Sequence, residues 1–301
     1  MRISLIDVDS KIPNLALMKI SAYHKAKGDI VGFNLINPDK IYSSIVFKKN
    51  KGKAKNNTID NVERVFGGSG YNLSVRLPDE MEYIKPDYDL YPSEYSQGFT
   101  TRGCNRNCYF CIVPKKEGRY KVVQHPKEFY DPKFDTCKLL DNNILFDKEW
   151  FKEISKWFID NGIKVDMNQG YDIRLLDFDC ACLINDIHSK EVINFAFDDS
   201  NLKNIIIKKI DILKDSGINI RKDVQFYVYC HSDDDFDDAL YRCNLLKELG
   251  TNAFMMFNCD AKRTRRIKNL QRWANRRWLF WGLPFEKYKP CPFHGQVNKN
   301  V

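Results

Sequence analysis

Nothing in the 301-residue sequence runs apolar for the roughly 18 residues that a membrane-spanning helix requires, so no transmembrane helix is expected. No secretory leader is expected at the start either: "MRISLIDVDSK" is a short apolar run broken by two aspartates. A cytoplasmic protein is expected. In that reducing compartment ten cysteines serve as metal ligands, catalysts or buried small hydrophobes rather than as disulfides. Residues 1–103 hold none of the ten. Acidic residues are absent from Ala261–Phe285, where eight Lys and Arg stand, and this stretch carries the whole formal net charge of +8. A second basic run, "FKKNKGKAKNN" at 47–57, is balanced by acids elsewhere and reads as an exposed hairpin or loop. With 43% hydrophobic and 29% charged residues, the chain is globular and not disordered.

Periodicity supplies the organisation. "RISLIDV" and "DIVGFNL" read as strands flanking the helical "NLALMKISAYHKAKG", and "SSIVFKK" and "NVERVFGGSGY" add strands. Residues 1–75 are therefore expected to form a small Rossmann-like α/β domain. The proline-bearing 76–97 reads as a linker. From 98 to 260, six strand-like runs ("GFTTR", "CKLLDNN", "IKVDMNQG", "VINFAFD", "VQFYVYC", "TNAFMMFNC") alternate with helical ones. That alternation predicts a partial (β/α)6 barrel, with function at the C-terminal ends of its strands. Within it "SDDDFDD" is read as a helix start, Ser232 as N-cap with acids in the first turn, rather than as a metal site.

Directly after the first barrel strand stands "CNRNCYFC", with Cys104, Cys108 and Cys111. Structural zinc sites are closed by four ligands, commonly two separated pairs. This region offers only His125 as a conceivable fourth. Three thiolates on a glycine-bearing loop suit a cubane iron–sulfur cluster that keeps one iron open. Zinc and unligated thiols stay as alternatives.

The C-x3-C-x2-C spacing, with Phe110 before the last cysteine and a barrel pattern behind it, resembles the radical S-adenosylmethionine (SAM) superfamily. The resemblance implies a [4Fe-4S] cluster on Cys104, Cys108 and Cys111, with the open iron chelated by the amino and carboxylate groups of SAM. It implies reductive cleavage of SAM to a 5′-deoxyadenosyl radical that abstracts hydrogen from a substrate, with a flavodoxin or ferredoxin as electron donor. Phe110 would lie near the adenine. Asp141, Asn142 and Asn143, ending the second strand, would face the SAM amino group. "NQG-x-D-x-RLL" at the third strand is similar to a pattern in relatives with a cobalamin-domain-like N-terminal region. Asn168, Gln169, Asp172 and Arg174 would then face the SAM ribose and carboxylate or the substrate. For Asp172 and Arg174 a local ion pair that shapes the loop is an equal reading. Asp198 could touch the ribose, while Asp199-Ser200 may equally cap the next helix.

"LIDVDSKIPNLALMKISAYHKAKGD", "GGSGY" and "LPDEMEYIKPDYDLY" resemble the front of cobalamin-domain radical SAM proteins, so that the resemblance covers about residues 1–260. The chain departs from that pattern at Asp7-Val8-Asp9-Ser10-Lys11, which lacks the cobalt-binding histidine. Cobalamin is accordingly disfavoured and a degenerate domain expected. His24, at the end of the following helix, is expected on the surface. "GGSGY" is a weak phosphate signal. The missing N-terminal cysteines disfavour a methylthiotransferase. Cys180, Cys182 and Cys243 read as packing in helices. Cys230 and Cys259, at the ends of the fifth and sixth strands, are candidates for hydrogen-atom donation or a second metal, with strand-end burial the preferred reading.

In the tail at 261–301, Ile267, Leu270, Ala274, Trp278 and Trp281 share one helical face, which is expected to dock on the barrel. Trp273, Phe280 and Phe285 are expected to add aromatic surface. Basic residues interleaved with aromatics over 262–285 suit phosphate contacts and base stacking, making nucleic acid a candidate partner. The leading expectation is a radical SAM enzyme acting on an unidentified substrate, with a nucleotide or nucleic acid one candidate. The alternatives are a cobalamin-dependent methyltransferase of the same type and a non-catalytic nucleic-acid-binding protein with a structural metal site.

Overall fold

The computed structural model describes residues 1–53, 62–189, 191–258 and 260–290. The chain divides into two compact units, Met1–Gln169 and Gly170–Val301.

The first unit opens with β1 (Arg2–Asp7), α1 (Leu15–Ala26), β2 (Ile30–Phe33), β3 (Lys40–Ser44) and β4 (Glu63–Gly67). The strands form one parallel sheet in the order β2-β1-β3-β4. Ile3 and Leu5 of β1 are buried against Leu17 and Ile20 of α1, the packing expected of a βαβ unit. Asn14 caps α1 by accepting the Leu17 amide at 3.2 Å. The third strand lies earlier than "SSIVFKK" suggested. Its register places Lys40–Ser44 beside Ile3–Asp7, and Ile45 already leaves the sheet for a turn. His24 is not on the surface but buried, with Nδ1 2.7 Å from Asp29 Oδ2 and Nε2 3.1 Å from the Tyr42 hydroxyl. The end of α1 turns inward against β3 there, which a position near a helix terminus could not reveal.

Further on come α2 (Asp79–Glu82), β5 (Ser96–Gly98), β6 (Thr101–Arg102), α3 (Val113–Lys116), β7 (Lys121–Val122), β8 (Thr136–Leu139), α4 (Lys148–Asp160) and β9 (Lys164–Met167). Strands β5, β8 and β9 pair in parallel, in that order. The run "GFTTR" is thus two elements. β5 ends at Gly98, and Thr101–Arg102 pairs antiparallel with Lys121–Val122. α4 is N-capped by Asp147, which accepts the Trp150 amide at 3.0 Å, and it buries Phe151, Ile154 and Phe158 at helical spacing.

The second unit contains α5 (Phe178–Ile187), β10 (Ile193–Ala196), α6 (Lys203–Asp215), α7 (Ile220–Asp223), β11 (Val224–Cys230), α8 (Phe236–Glu248), β12 (Asn252–Phe257), α9 (Arg265–Ala274) and α10 (Arg277–Gly282). Its parallel sheet has the order β10-β11-β12. Along β11, Val224, Phe226, Val228 and Cys230 are buried in strict alternation. Ser232 caps the helical stretch before α8 in a reciprocal capping box with Asp235, which accounts for the acidic run. Parallel strands alternating with helices establish the α/β class. No helix among the described residues is long and apolar enough to cross a membrane.

The tail differs from the single-helix expectation. α9 stops at Ala274, and the Asn275 side chain accepts the Met255 amide at 2.7 Å while donating to its carbonyl at 3.1 Å. That clamp shifts the helical phase. Ile267, Leu270 and Ala274 are buried as expected, but Trp273 and Phe280 are fully buried too, and Trp278 is 69% exposed. Trp281 donates its indole N–H to Asn252 at 2.9 Å.

Replacing His24 by Leu should leave the Tyr42 hydroxyl and the Asp29 carboxylate without this partner. Urea unfolding should show a loss of about 1–3 kcal/mol relative to the native chain.

Candidate metal centre

The three cysteines lie on a hairpin loop. β6 and β7 form its stem, pairing Arg102 with Lys121 and Thr101 with Val122. Across the base of the loop, Cys104 donates its amide to the Gly118 carbonyl at 3.2 Å, and Tyr120 donates to Asn105 Oδ1 at 3.1 Å. Gly103 sits at φ +79°, where a Cβ would stand 2.2 Å from the Arg119 carbonyl oxygen, so only glycine fits.

What holds the stem comes from the end of β8. The Leu140 amide donates to the Gly98 carbonyl at 2.9 Å and extends the β5–β8 ladder by one bond. The next three residues then reach the start of the loop. The buried Asp141 carboxylate accepts the backbone amides and hydroxyls of both Thr100 and Thr101 at 2.5–3.2 Å. Asn142 Oδ1 accepts the Gly103 amide at 3.0 Å. Asn143 Nδ2 lies 3.5 Å from the Cys104 sulfur. Burial pushes the Asp141 carboxyl above the usual carboxylate range, and the four threonine donors oppose that shift. Asp141 therefore acts within the protein, as the clamp on the loop's entry.

Cys104, Cys108 and Cys111 are all partly exposed. The Cys111 amide turns back onto the Cys108 carbonyl at 3.0 Å, bringing the last two cysteines onto one tight turn. Backbone amides approach two of the sulfurs, Arg106 N at 3.3 Å from Cys104 Sγ and Val113 N at 3.5 Å from Cys111 Sγ. Donors aimed at sulfur favour the thiolate and are the contacts that tune thiolate-held clusters. The thiols' softness, their partial exposure and the directed N–H groups suit an iron–sulfur group in chemistry, although the three side chains are not gathered around one point. Among the described residues no three His, Cys, Asp or Glu side chains form a group that could hold a metal ion. His125 instead accepts the Lys127 amide at 3.2 Å and meets the edges of Trp150 and Trp157. Burial, then Lys127, holds its imidazole below the usual histidine range.

No protein-family model matches this chain, and no curated protein matches it.

Of the other candidates, Phe110 is partly buried beside Tyr109, with ring centroids 5.2 Å apart, and Asn168 and Gln169 follow β9 in the same unit as the cysteines. Asp172, Arg174, Asp198 and Cys230 belong to the second unit. Arg174 grips Asp172 in a two-pronged ion pair at 2.6 and 2.9 Å, the local arrangement foreseen as one reading of that motif. Asp198 accepts the Tyr229 amide at 2.8 Å, and burial raises its carboxyl. Asp199 caps the following turn through the Asn201 amide at 2.9 Å. The Cys230 thiol is buried, donates to the Ser232 carbonyl at 3.2 Å and is pushed up to about 11, burial being the main cause. It stays protonated at neutral pH. Cys259 lies outside the described residues. Sequence reading missed Thr100 and Thr101, whose two adjacent hydroxyls before a Gly-Cys pair were the only signal of the clamp.

Asp141→Ala should strand four buried donors, lower unfolding stability by about 3 kcal/mol and speed amide exchange at Gly103 and Cys104. Exchange read by mass spectrometry on the full chain checks both the size and the place of the effect.

Proposed function

We propose that the chain is a radical SAM enzyme with its cluster on Cys104, Cys108 and Cys111. The observation that carries this reading is the pinned cysteine loop, following the first strand of a parallel sheet and offering three partly exposed thiols with amide N–H groups directed at two of them. A [4Fe-4S] cluster bound there would supply one electron to the sulfonium of SAM, releasing a radical able to take hydrogen from substrate. The chain's own part is positional. Asp141–Asn143 fix where the loop starts, and the Arg106 and Val113 amides offset the negative charge of ligating sulfur. In this reading Asn142, Asn143, Asn168 and Gln169, all in the unit that carries the cysteines, furnish polar groups for SAM. A flavodoxin or ferredoxin would reduce the cluster. Cobalamin stays disfavoured in this reading, because Asp7–Lys11 contains no histidine and His24 is engaged by Asp29 and Tyr42.

Anaerobically reconstituted, dithionite-reduced protein given SAM should form 5′-deoxyadenosine, and Cys104→Ala should abolish it. Zinc instead of iron by elemental analysis, or product formation unchanged in Cys104→Ala, would overturn the reading.

One observation favours nucleic acid as the substrate class. Arg263, Arg265, Lys268 and Arg276 are exposed on and beside α9, next in sequence to the exposed Trp278, a pairing suited to phosphate and base. Gln at positions 263, 265 and 268 should reduce the salt-dependence slope of single-stranded RNA binding by about 2, at about 0.7 per phosphate contact. A slope unchanged in fluorescence-anisotropy titrations would remove nucleic acid from the proposal.

A further inference from the structure

Beside α1, over β3 and β4, the first unit encloses a cavity of about 370 Å³, within the range of roughly 300–1,000 Å³ typical of small-molecule sites. Its walls are mainly apolar, with Leu17, Val65, Leu77, Met81 and Phe99 among them. Ser43, Ser44, Gly67 and Gly68, at the C-terminal ends of β3 and β4, also line it. Open parallel sheets bind ligands at that end of their strands.

The charges on its wall do not balance. Lys19, Arg76, Arg102 and Lys116 line the cavity with only Glu82 and Glu117 opposite them, once Lys40 is paired to Glu63 at 2.7 Å. Both carboxylates are already engaged by Arg102, and Glu82 also by Lys19. Lys116 forms no ion pair and no hydrogen bond through its ammonium among the described residues. Burial holds its amine below the ordinary lysine range; the Glu117 carboxylate opposes that shift, and the charges of Arg76 and Arg102 add to it. A partly buried ammonium without an ion-pair partner thus stands on the wall of an apolar chamber whose cations outnumber its carboxylates. An anionic head group with an apolar body would supply that partner and fill the chamber.

We propose that this cavity binds an acidic amphiphile, its single anionic head against Lys116 and Arg102 and its apolar body along Val65, Leu77 and Phe99. Arg102 and Lys116 flank the cysteine loop in sequence, so the head group would sit at the loop's stem. The inference does not depend on what the cysteines hold, and either proposal can fail without the other.

Isothermal titration of the full chain with decanoate, decyl phosphate and 1-decanol tests it. At least one of the two anions should bind at a single site, and decanol at least about tenfold more weakly. Which anion binds more tightly assigns the head group to carboxylate or phosphate. Lys116→Gln should weaken the anion about tenfold, as expected for one charge-assisted hydrogen bond, and leave decanol unchanged. Val65→Trp, which fills the chamber, should abolish binding. Leu77→Trp does the same from an irregular segment outside the sheet, should the strand variant not fold. Decanol binding as tightly as the anions, full affinity in either tryptophan variant, or no saturable anion binding would overturn the proposal.

Discussion

A buried carboxylate meeting four donors is the interaction on which the placement of the cysteine loop depends. Asp141 has no solvent to share its charge with, and the structure surrounds it with two amides and two hydroxyls instead. All four belong to Thr100 and Thr101, so the carboxylate's need for donors becomes a positional constraint on the chain just before the cysteines. Because low dielectric makes an unmade bond so costly there, the arrangement tolerates little displacement. Asn142 and Asn143 continue the constraint outward to Gly103 and Cys104. Rigidity thus passes from the sheet to the first cysteine through three consecutive side chains.

The same unit shows how one residue can serve two neighbourhoods. Arg102 is in the hairpin stem, two residues before the first cysteine, and it also bridges Glu82 and Glu117 on the cavity wall while stacking over Phe99 at 3.9 Å. A planar guanidinium can satisfy two carboxylates and an aromatic face together, which an ammonium could not. The loop stem and the cavity therefore share a structural element.

The existence of most strands was legible because alternation such as that of Val224–Cys230 is dictated by burial on one face. Boundaries were less so. "GFTTR" reads as one apolar-polar strand, yet Asp141, some forty residues away, turns Thr100 and Thr101 out of the ladder. The same limit hid the phase of the tail. Asn275 breaks the helix by bonding to Met255, and that partner is not visible from helical periodicity, so Trp273 and Trp278 exchanged their expected places. His24 was misjudged likewise, since its burial depends on Tyr42 and Asp29 rather than on its neighbours in α1. For the candidate site, the cysteine spacing marked the loop, but the polar residues around it depended on contacts that spacing does not encode.

The hairpin that bears the cysteines has its two ends joined by the β6–β7 pairing and its base crossed by the Cys104–Gly118 bond. None of these ties uses a cysteine side chain. The stem and base of the loop are therefore tied independently of its cysteine side chains, unlike small metal domains in which binding and folding are one event. By closing the loop, the stem limits how far apart the three sulfurs can move. A cysteine side chain can be changed without cutting any of these ties.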